Sequence, residues 1–226
     1  MAASKPRKYP SGSPKRNKTW FAILGLLAWK PMSGYDIKKL IEVGLSYFWH
    51  ESYGSLYPTL DRLVVAGLAS RKEQRRHGRR TRHVYCITAK GRREMQAWLR
   101  EPTDLPRTRN ELQLKFFLCS RQPPVESIRL LEEYREQQRE VQELYADSER
   151  ILRRAVRDRA LPDELEEVLP TEAPKRSDTE RRNEALIFLL TLRHGVLKVG
   201  ARLAWCDEAL RALRSAAKEK DHARKG

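Results

Sequence analysis

Five arginines, Arg75, Arg76, Arg79, Arg80 and Arg82, fall within one short stretch that contains no acid. A guanidinium is permanently charged and forks onto phosphate oxygens or onto the O6/N7 edge of guanine. Such a cluster therefore suits a polyanion rather than proton transfer. Groups that would make or break bonds lack their partners. The histidines, His50, His77, His83, His194 and His222, show no metal-ligand spacing, and His50-Glu51 has no second histidine four positions away. Cys86, Cys119 and Cys206 are odd in number, far apart and without CxxC spacing, which indicates neither a disulfide framework nor zinc. Gly12, Gly25, Gly34 and Gly44 form no phosphate loop, and the turn at Lys30-Pro31 lacks a glycine cradle. The chain is expected not to be an enzyme, with no catalytic residue, no metal and no cofactor.

Charge carries the argument further. The 226 residues hold 46 Lys+Arg against 30 Asp+Glu, a formal +16, and the pI is about 10.0. The excess is concentrated: residues 1–100 contain 21 basic and 6 acidic side chains, and residues 101–226 contain 25 and 24. The front half is built for a polyanion, and the back half is electrically ordinary. Mean hydropathy is -0.72, and no stretch approaches the roughly 18–20 apolar residues that span a bilayer. The most apolar segment, Trp20 to Trp29, is short and interrupted by Gly25, which suits a buried helix. It follows a basic leader as a signal peptide would, but it lacks a small-residue cleavage site and runs straight into a patterned helix. A cytoplasmic protein with reduced cysteines and no membrane partner is expected.

The elements that must position the arginines follow from the pattern. Met1 to Lys18 carries six basic residues, no acid and Pro6, Pro10 and Pro14, so a disordered basic tail is expected, either a solvated leader or an arm that tracks phosphates. Thr19 can cap a first helix that stops at Lys30-Pro31. Ser33 can cap a second, with Tyr35, Ile37, Leu40 and Ile41 inward and Gly44 at its end. A third runs from about Ser55 to Val65 with Leu56, Leu60 and Leu63 inward and Pro58 in its first turn. Leu68 to Gln74 and Arg82 to Ile87 read as strands of a hairpin tipped with positive charge, and Thr88 caps a fourth helix to about Leu99.

Three helices and then a basic hairpin is the order of a winged helix-turn-helix over 19–100, in which the third helix enters the major groove. Its outward candidates are Ser52, Tyr53, Ser55, Thr59 and Arg62. Arg62 can bond guanine or hold a phosphate, and Tyr53 can reach a phosphate or pack inside. One or two of the hairpin arginines should enter the adjacent minor groove while the others hold phosphates.

The stretches AILGLLAWKPMSGYDIKKLI, YGSLYPTLDRLVVAGLASRK and RHVYCITAKGRREMQAWL resemble the DNA-binding domain of the PadR family of bacterial transcriptional regulators, over about Phe21 to Leu99. The specific signal is Tyr53-Gly54-Ser55-Leu56-Tyr57-Pro58 with Leu60, Leu63 and Gly67, then Tyr85 before Ile87-Thr88 and Gly91. The resemblance implies that Ser33 and Gly34 sit at the junction of the first two helices and that Tyr35 packs beneath the second. It also implies that Ser55, Tyr57 and Pro58 set the start of the recognition helix, and that Arg79 to Arg82 lie at or beside the wing. Ser33, Tyr35 and Tyr57 thereby join the candidate DNA-binding residues. The wing departs from the family in being unusually rich in arginine, which favours nonspecific affinity at the expense of discrimination.

Beyond a linker with Pro102 and Pro106 the chain turns helical. Asn110 to Cys119 is crowded with Leu112, Leu114, Phe116, Phe117 and Leu118 and reads as buried. A long segment then carries Leu131, Tyr134, Gln138, Val141, Tyr145, Ser148, Leu152 and Ala155 at spacings of three and four. Leu161 to Asp178, with three prolines, reads as irregular, and Arg181 to Ala216 resumes a helix with Leu189, Leu192, Val196, Val199, Leu203, Cys206, Leu210 and Leu213 on one seam. Two such helices are expected not to bury both seams alone, which makes 110–217 a dimerisation domain, with a different helical partner or packing within the chain as alternatives.

This part resembles the longer PadR subfamily, whose members dimerise through helices after the winged domain. The expected fold is mainly α, a winged helix-turn-helix followed by a long-helix dimerisation domain. The expected function is a homodimeric repressor on double-stranded DNA with a pseudo-palindromic operator, and the alternative is a nonspecific architectural DNA-binding protein. The resemblance also implies a small-molecule effector, for which Trp98, Phe116, Phe117, Tyr134 and Trp205 are candidate contacts if they are not simply core.

Overall fold

The structure, a computed structural model, describes residues 17–46, 48–49, 53–74, 82–103, 110–160 and 177–225, with Tyr53 and residues 219–225 described by backbone alone. Expectations for the tail before Asn17, for Ser52, for Arg75, Arg76, Arg79 and Arg80, and for 161–176 lie outside the described residues. The chain divides between residues 108 and 109 into two compact units.

In the first unit, α1 (Lys18–Trp29) begins two residues earlier than expected because Asn17, not Thr19, is its cap. The Asn17 side-chain oxygen accepts the Thr19 N–H at 3.1 Å, and asparagine is among the strongest caps. Met32–Ser33 forms a two-residue strand, β1, and Ser33 then caps α2 (Gly34–Leu40). Instead of ending at Gly44, the helix passes into a π-helical turn, Ile41–Leu45. Next come α3 (Tyr53–Val65), the strands β2 (Ala69–Gln74) and β3 (Arg82–Ile87), and α4 (Ala89–Leu99).

The sheet is antiparallel with β3 in the centre, in the order β1-β3-β2. Met32 is registered with Tyr85 and Ser33 with Val84 on one side, and Arg71 with Tyr85 and Gln74 with Arg82 on the other. Beneath it lies the core of Ile23, Leu24, Leu27, Met32, Ile37, Leu40, Leu60, Leu63 and Tyr85. Gly67, at φ +68°, turns the chain after α3, and Thr88 Oγ1 closes the corner by donating to the Gly67 carbonyl at 2.8 Å and accepting the Gly91 N–H at 3.0 Å.

The second unit contains α5 (Glu111–Leu118), a 3₁₀ turn (Cys119–Arg121), α6 (Pro124–Asp158) and α7 (Asp178–Lys225). Helix α7 is longer than the expected Arg181 to Ala216, because Ser177 and Glu180 form a capping box one turn upstream. Helices α6 and α7 form an antiparallel hairpin with polar rungs from Arg135 to Asp207 (2.6 Å), Arg202 to Gln138 (3.2 Å) and Arg193 to Glu149 (3.8 Å).

Across this hairpin the two expected seams face each other within one chain. Leu131, Leu189, Leu192, Val199 and Leu210 are buried within one chain, and Tyr134, Val141, Tyr145, Val196 and Leu203 line the same seam half-buried. The two seams satisfy each other because the chain returns antiparallel along its own heptad face. A second stripe on α7, Leu186, Ile187, Leu190 and Leu197, is left exposed. Helix α5 corrects a further expectation: Leu114, Phe117 and Leu118 are exposed, and none of its residues is buried. Eight residues crowded with apolar side chains all round present more apolar surface than one neighbouring helix can cover.

Candidate nucleic-acid interface

Helix α3 buries Leu56, Thr59, Leu60 and Leu63, the 3–4 spacing of a single stripe. Thr59 is only 3% exposed, so it is a core residue and not an outward candidate: it stands three residues after Leu56 and four before Leu63. The opposite face presents Tyr57, Pro58, Asp61, Arg62 and Val65 to solvent, and Ser55 is half-buried at its edge. Because α3 starts at Tyr53, Pro58 falls in the second turn rather than the first, and the Gly54 carbonyl lacks its intrahelical donor.

At the junction of α2 and α3, Tyr57 is 56% exposed and its ring lies against Gly34, where an added Cβ would meet Cε1 at 2.5 Å. Glycine is what lets the two helices approach so closely. Tyr35 corrects another expectation, for it is 69% exposed and does not pack beneath α2. The buried positions of that helix are Gly34, Ile37 and Leu40, and Tyr35 is off their stripe.

Ser33 is buried, and its hydroxyl is committed to a capping box: it donates to Asp36 Oδ2 at 2.8 Å and accepts the Asp36 N–H at 3.3 Å. Ser33 is therefore a structural residue of the junction, not an exposed contact. The same Asp36 oxygen accepts from Arg82 Nη2 at 3.4 Å, so the described wing arginine is tied to α2. Burial pushes the nearby Lys30 ammonium below the usual lysine range, with Asp36 opposing the shift and Arg82 adding to it. On β2, Arg71 donates to Asp61 of α3 at 3.1 Å. Reading the sequence missed these two acids, although the Ser-x-x-Asp spacing of Ser33 and Asp36 is a visible capping signal.

The candidate ligand aromatics have neighbours within their own units. Trp98 stacks on Phe21 with centroids 4.7 Å apart, and Phe116 meets Trp205 edge-on at 5.6 Å. Phe117 is 73% exposed, and Tyr134 is half-buried on the α6 seam. Among the described residues there is no cluster of three metal-ligating side chains, and no helix is long and apolar enough to cross a membrane.

A model described as the Transcriptional regulator PadR-like family matches residues 23–97, the whole of the helix-turn-helix and wing. Over these residues the chain is similar to the PadR-like family of transcriptional regulators. A second model, Virulence activator alpha C-term, matches residues 108–214. The first of these models describes transcriptional regulators.

The negative transcriptional regulator PadR of Bacillus subtilis is 31% identical over 101 residues, which is 44% of this chain and 56% of that protein. The chain thus spans about half the length of the curated relatives it matches. Crystal structures of B. subtilis PadR in complex with operator DNA (TM-score 0.67, 20% identity, 87% of this chain and 99% of that one) and with p-coumaric acid (TM-score 0.61, 21%, 86% and 94%) share the fold. The Vibrio cholerae virulence activator AphA has a TM-score of 0.64 at 26% identity, covering 87% of this chain and 98% of its own.

Proposed function

We propose that this PadR-like protein is a sequence-specific DNA-binding repressor that acts as a homodimer on a pseudo-palindromic operator in the cytoplasm. The observation that carries this is α3 itself. One stripe is buried to the last residue, and the other face offers Tyr57 and Arg62 to solvent directly before a strongly basic hairpin. A short exposed helix of this kind fits the roughly 12 Å major groove, and the hairpin arginines would hold flanking phosphates or the minor groove.

Two-fold pairing supports readout, since one such helix covers too few base pairs. The exposed α7 stripe of Leu186, Ile187, Leu190 and Leu197 is the face we assign to that pairing. Occupancy of a promoter is sufficient for repression. A small aromatic acid is the effector class we assign, supported by the complex of the B. subtilis relative with p-coumaric acid. Release of a bound operator fragment on adding p-coumarate tests it, and an unchanged complex rejects that ligand.

The front-half charge favours a second reading, a nonspecific architectural binder. Selection of fragments from the source genome by the purified chain, with random duplex as competitor at about 0.15 M salt, separates the two. A regulator recovers a short inverted repeat bound roughly 10³-fold or more above random duplex; an architectural protein recovers unselected DNA.

A further inference from the structure

Six acids occur in the first 100 residues, and Asp36 and Asp61 stand on the two helices of the helix-turn-helix. Both carboxylates are turned onto the wing. Asp36 of α2 accepts from Arg82 of β3 at 3.4 Å, and Asp61 of α3 accepts from Arg71 of β2 at 3.1 Å. Arg82 is registered with Gln74, the pair from which the chain leaves for the hairpin tip, so the first contact grips the root of the wing. Arg71 is registered with Tyr85, three residues beyond Arg82, and strand alternation puts the two arginines on opposite faces of the sheet. Each wing strand is thereby fastened to a different helix.

Exposed ion pairs add little to stability, and a carboxylate beside the phosphate-facing surface opposes affinity. What these two supply is orientation. We infer that Asp36 and Asp61 are positioning residues that fix the wing against α3 and so set discrimination between operator and other DNA, an inference that rests on the DNA-binding reading above. A fastened wing fits only where groove width and phosphate path match those of the operator. A loose one follows the backbone of any duplex.

The test uses the full chain carrying Asp61→Asn or Asp36→Asn, with affinities measured for fragments the unaltered protein selects and for random duplex. Each substitution raises the net charge by one. Simple charge removal would strengthen binding to both duplexes alike, and that result overturns the inference. Positioning predicts a split: random duplex binds as well or better, while the advantage of the selected fragment falls about tenfold, the scale of one misread base pair.

A cycle of Asp61→Asn, Arg71→Gln and the double substitution isolates the pair. The double variant should lose no more discrimination than either single one, and additive losses would make Asp61 a direct base reader and overturn the inference. Should Asp36→Asn unfold through its missing cap, Arg82→Lys replaces it, keeping the charge without the fork. Its discrimination should fall by a similar factor, and unchanged discrimination counts against the proposal. Failure of the unaltered chain to prefer any fragment would instead refute the DNA-binding reading.

Discussion

Arg62 decides between two chemistries at one position. It lies on the solvent face of α3, five residues after Tyr57, which itself rests on Gly34. If Arg62 reads guanine, Arg62→Ala should cost selected fragments about 1–3 kcal/mol and leave random duplex nearly untouched; equal losses on both, measured by competition binding, mark a phosphate contact. Two glycines make a matched pair of predictions. At Gly34 an added Cβ meets the rim of an exposed tyrosine ring, which can swing away, so Gly34→Ala should keep its melting temperature while weakening DNA binding. At Gly91 the Cβ meets the backbone carbonyl of Leu68, which cannot, so Gly91→Ala should destabilise the fold by about 1–3 kcal/mol in thermal or urea denaturation. The thiol of Cys206 provides the pH dependence. Burial, reinforced by Asp207 and opposed by Arg135, pushes it above its ordinary 9.0. The folded chain keeps that proton where the unfolded chain loses it, so the contribution is fully present below about pH 9 and lost as pH rises beyond. Alkylation at pH 8, followed by mass spectrometry, should modify half-buried Cys86 and Cys119 well before Cys206.

Among the elements, the α6–α7 hairpin makes the sharpest distinction. Val199 is interior to the chain, whereas Leu190 is 54% exposed on the second stripe. Leu190→Glu should therefore halve the mass seen by sedimentation with helicity intact, and Val199→Asp should melt the hairpin itself. How far these elements were legible depends on what periodicity encodes. Spacings of three and four gave Leu56, Leu60 and Leu63 their inward face without error, because burial on one side is the only physical source of such a pattern. Thr59, expected outward, belongs to the same buried stripe, a place that its polar hydroxyl conceals in the sequence. The heptads of α6 and α7 announced a partner but not its identity: an apolar seam is equally satisfied by another molecule or by the chain turning back. Composition misled for α5, where apolar content was mistaken for burial. The ties from Asp36 and Asp61 to the wing join positions 46 and 10 residues apart, and no local pattern reports such pairings.

For the molecule as a whole, charge is divided by function: almost all the excess lies in residues 1–100, and the helical part is close to neutral. Removing residues 1–16, which carry five of the basic side chains, should lower the slope of log affinity against log salt by about 0.9 for each phosphate that those side chains neutralise. A slope unchanged in a salt titration would make that segment a bystander.

The rungs of the hairpin have a consequence for which operators can be read. A heptad seam is nearly degenerate, since sliding α7 by seven residues would again match apolar with apolar. The Arg202–Gln138 bond and the Tyr145 ring seated on Gly195 break that degeneracy, because neither is repeated one heptad away. A slip would displace the α7 stripe by about 10 Å along the helix. In a dimer joined by that stripe, this is about a third of a DNA turn, enough to put two half-sites out of phase. Gln138 and Gly195 thus act as the graduations of a ruler. Gln138→Leu should make the hairpin more stable and the permitted half-site spacing less exact.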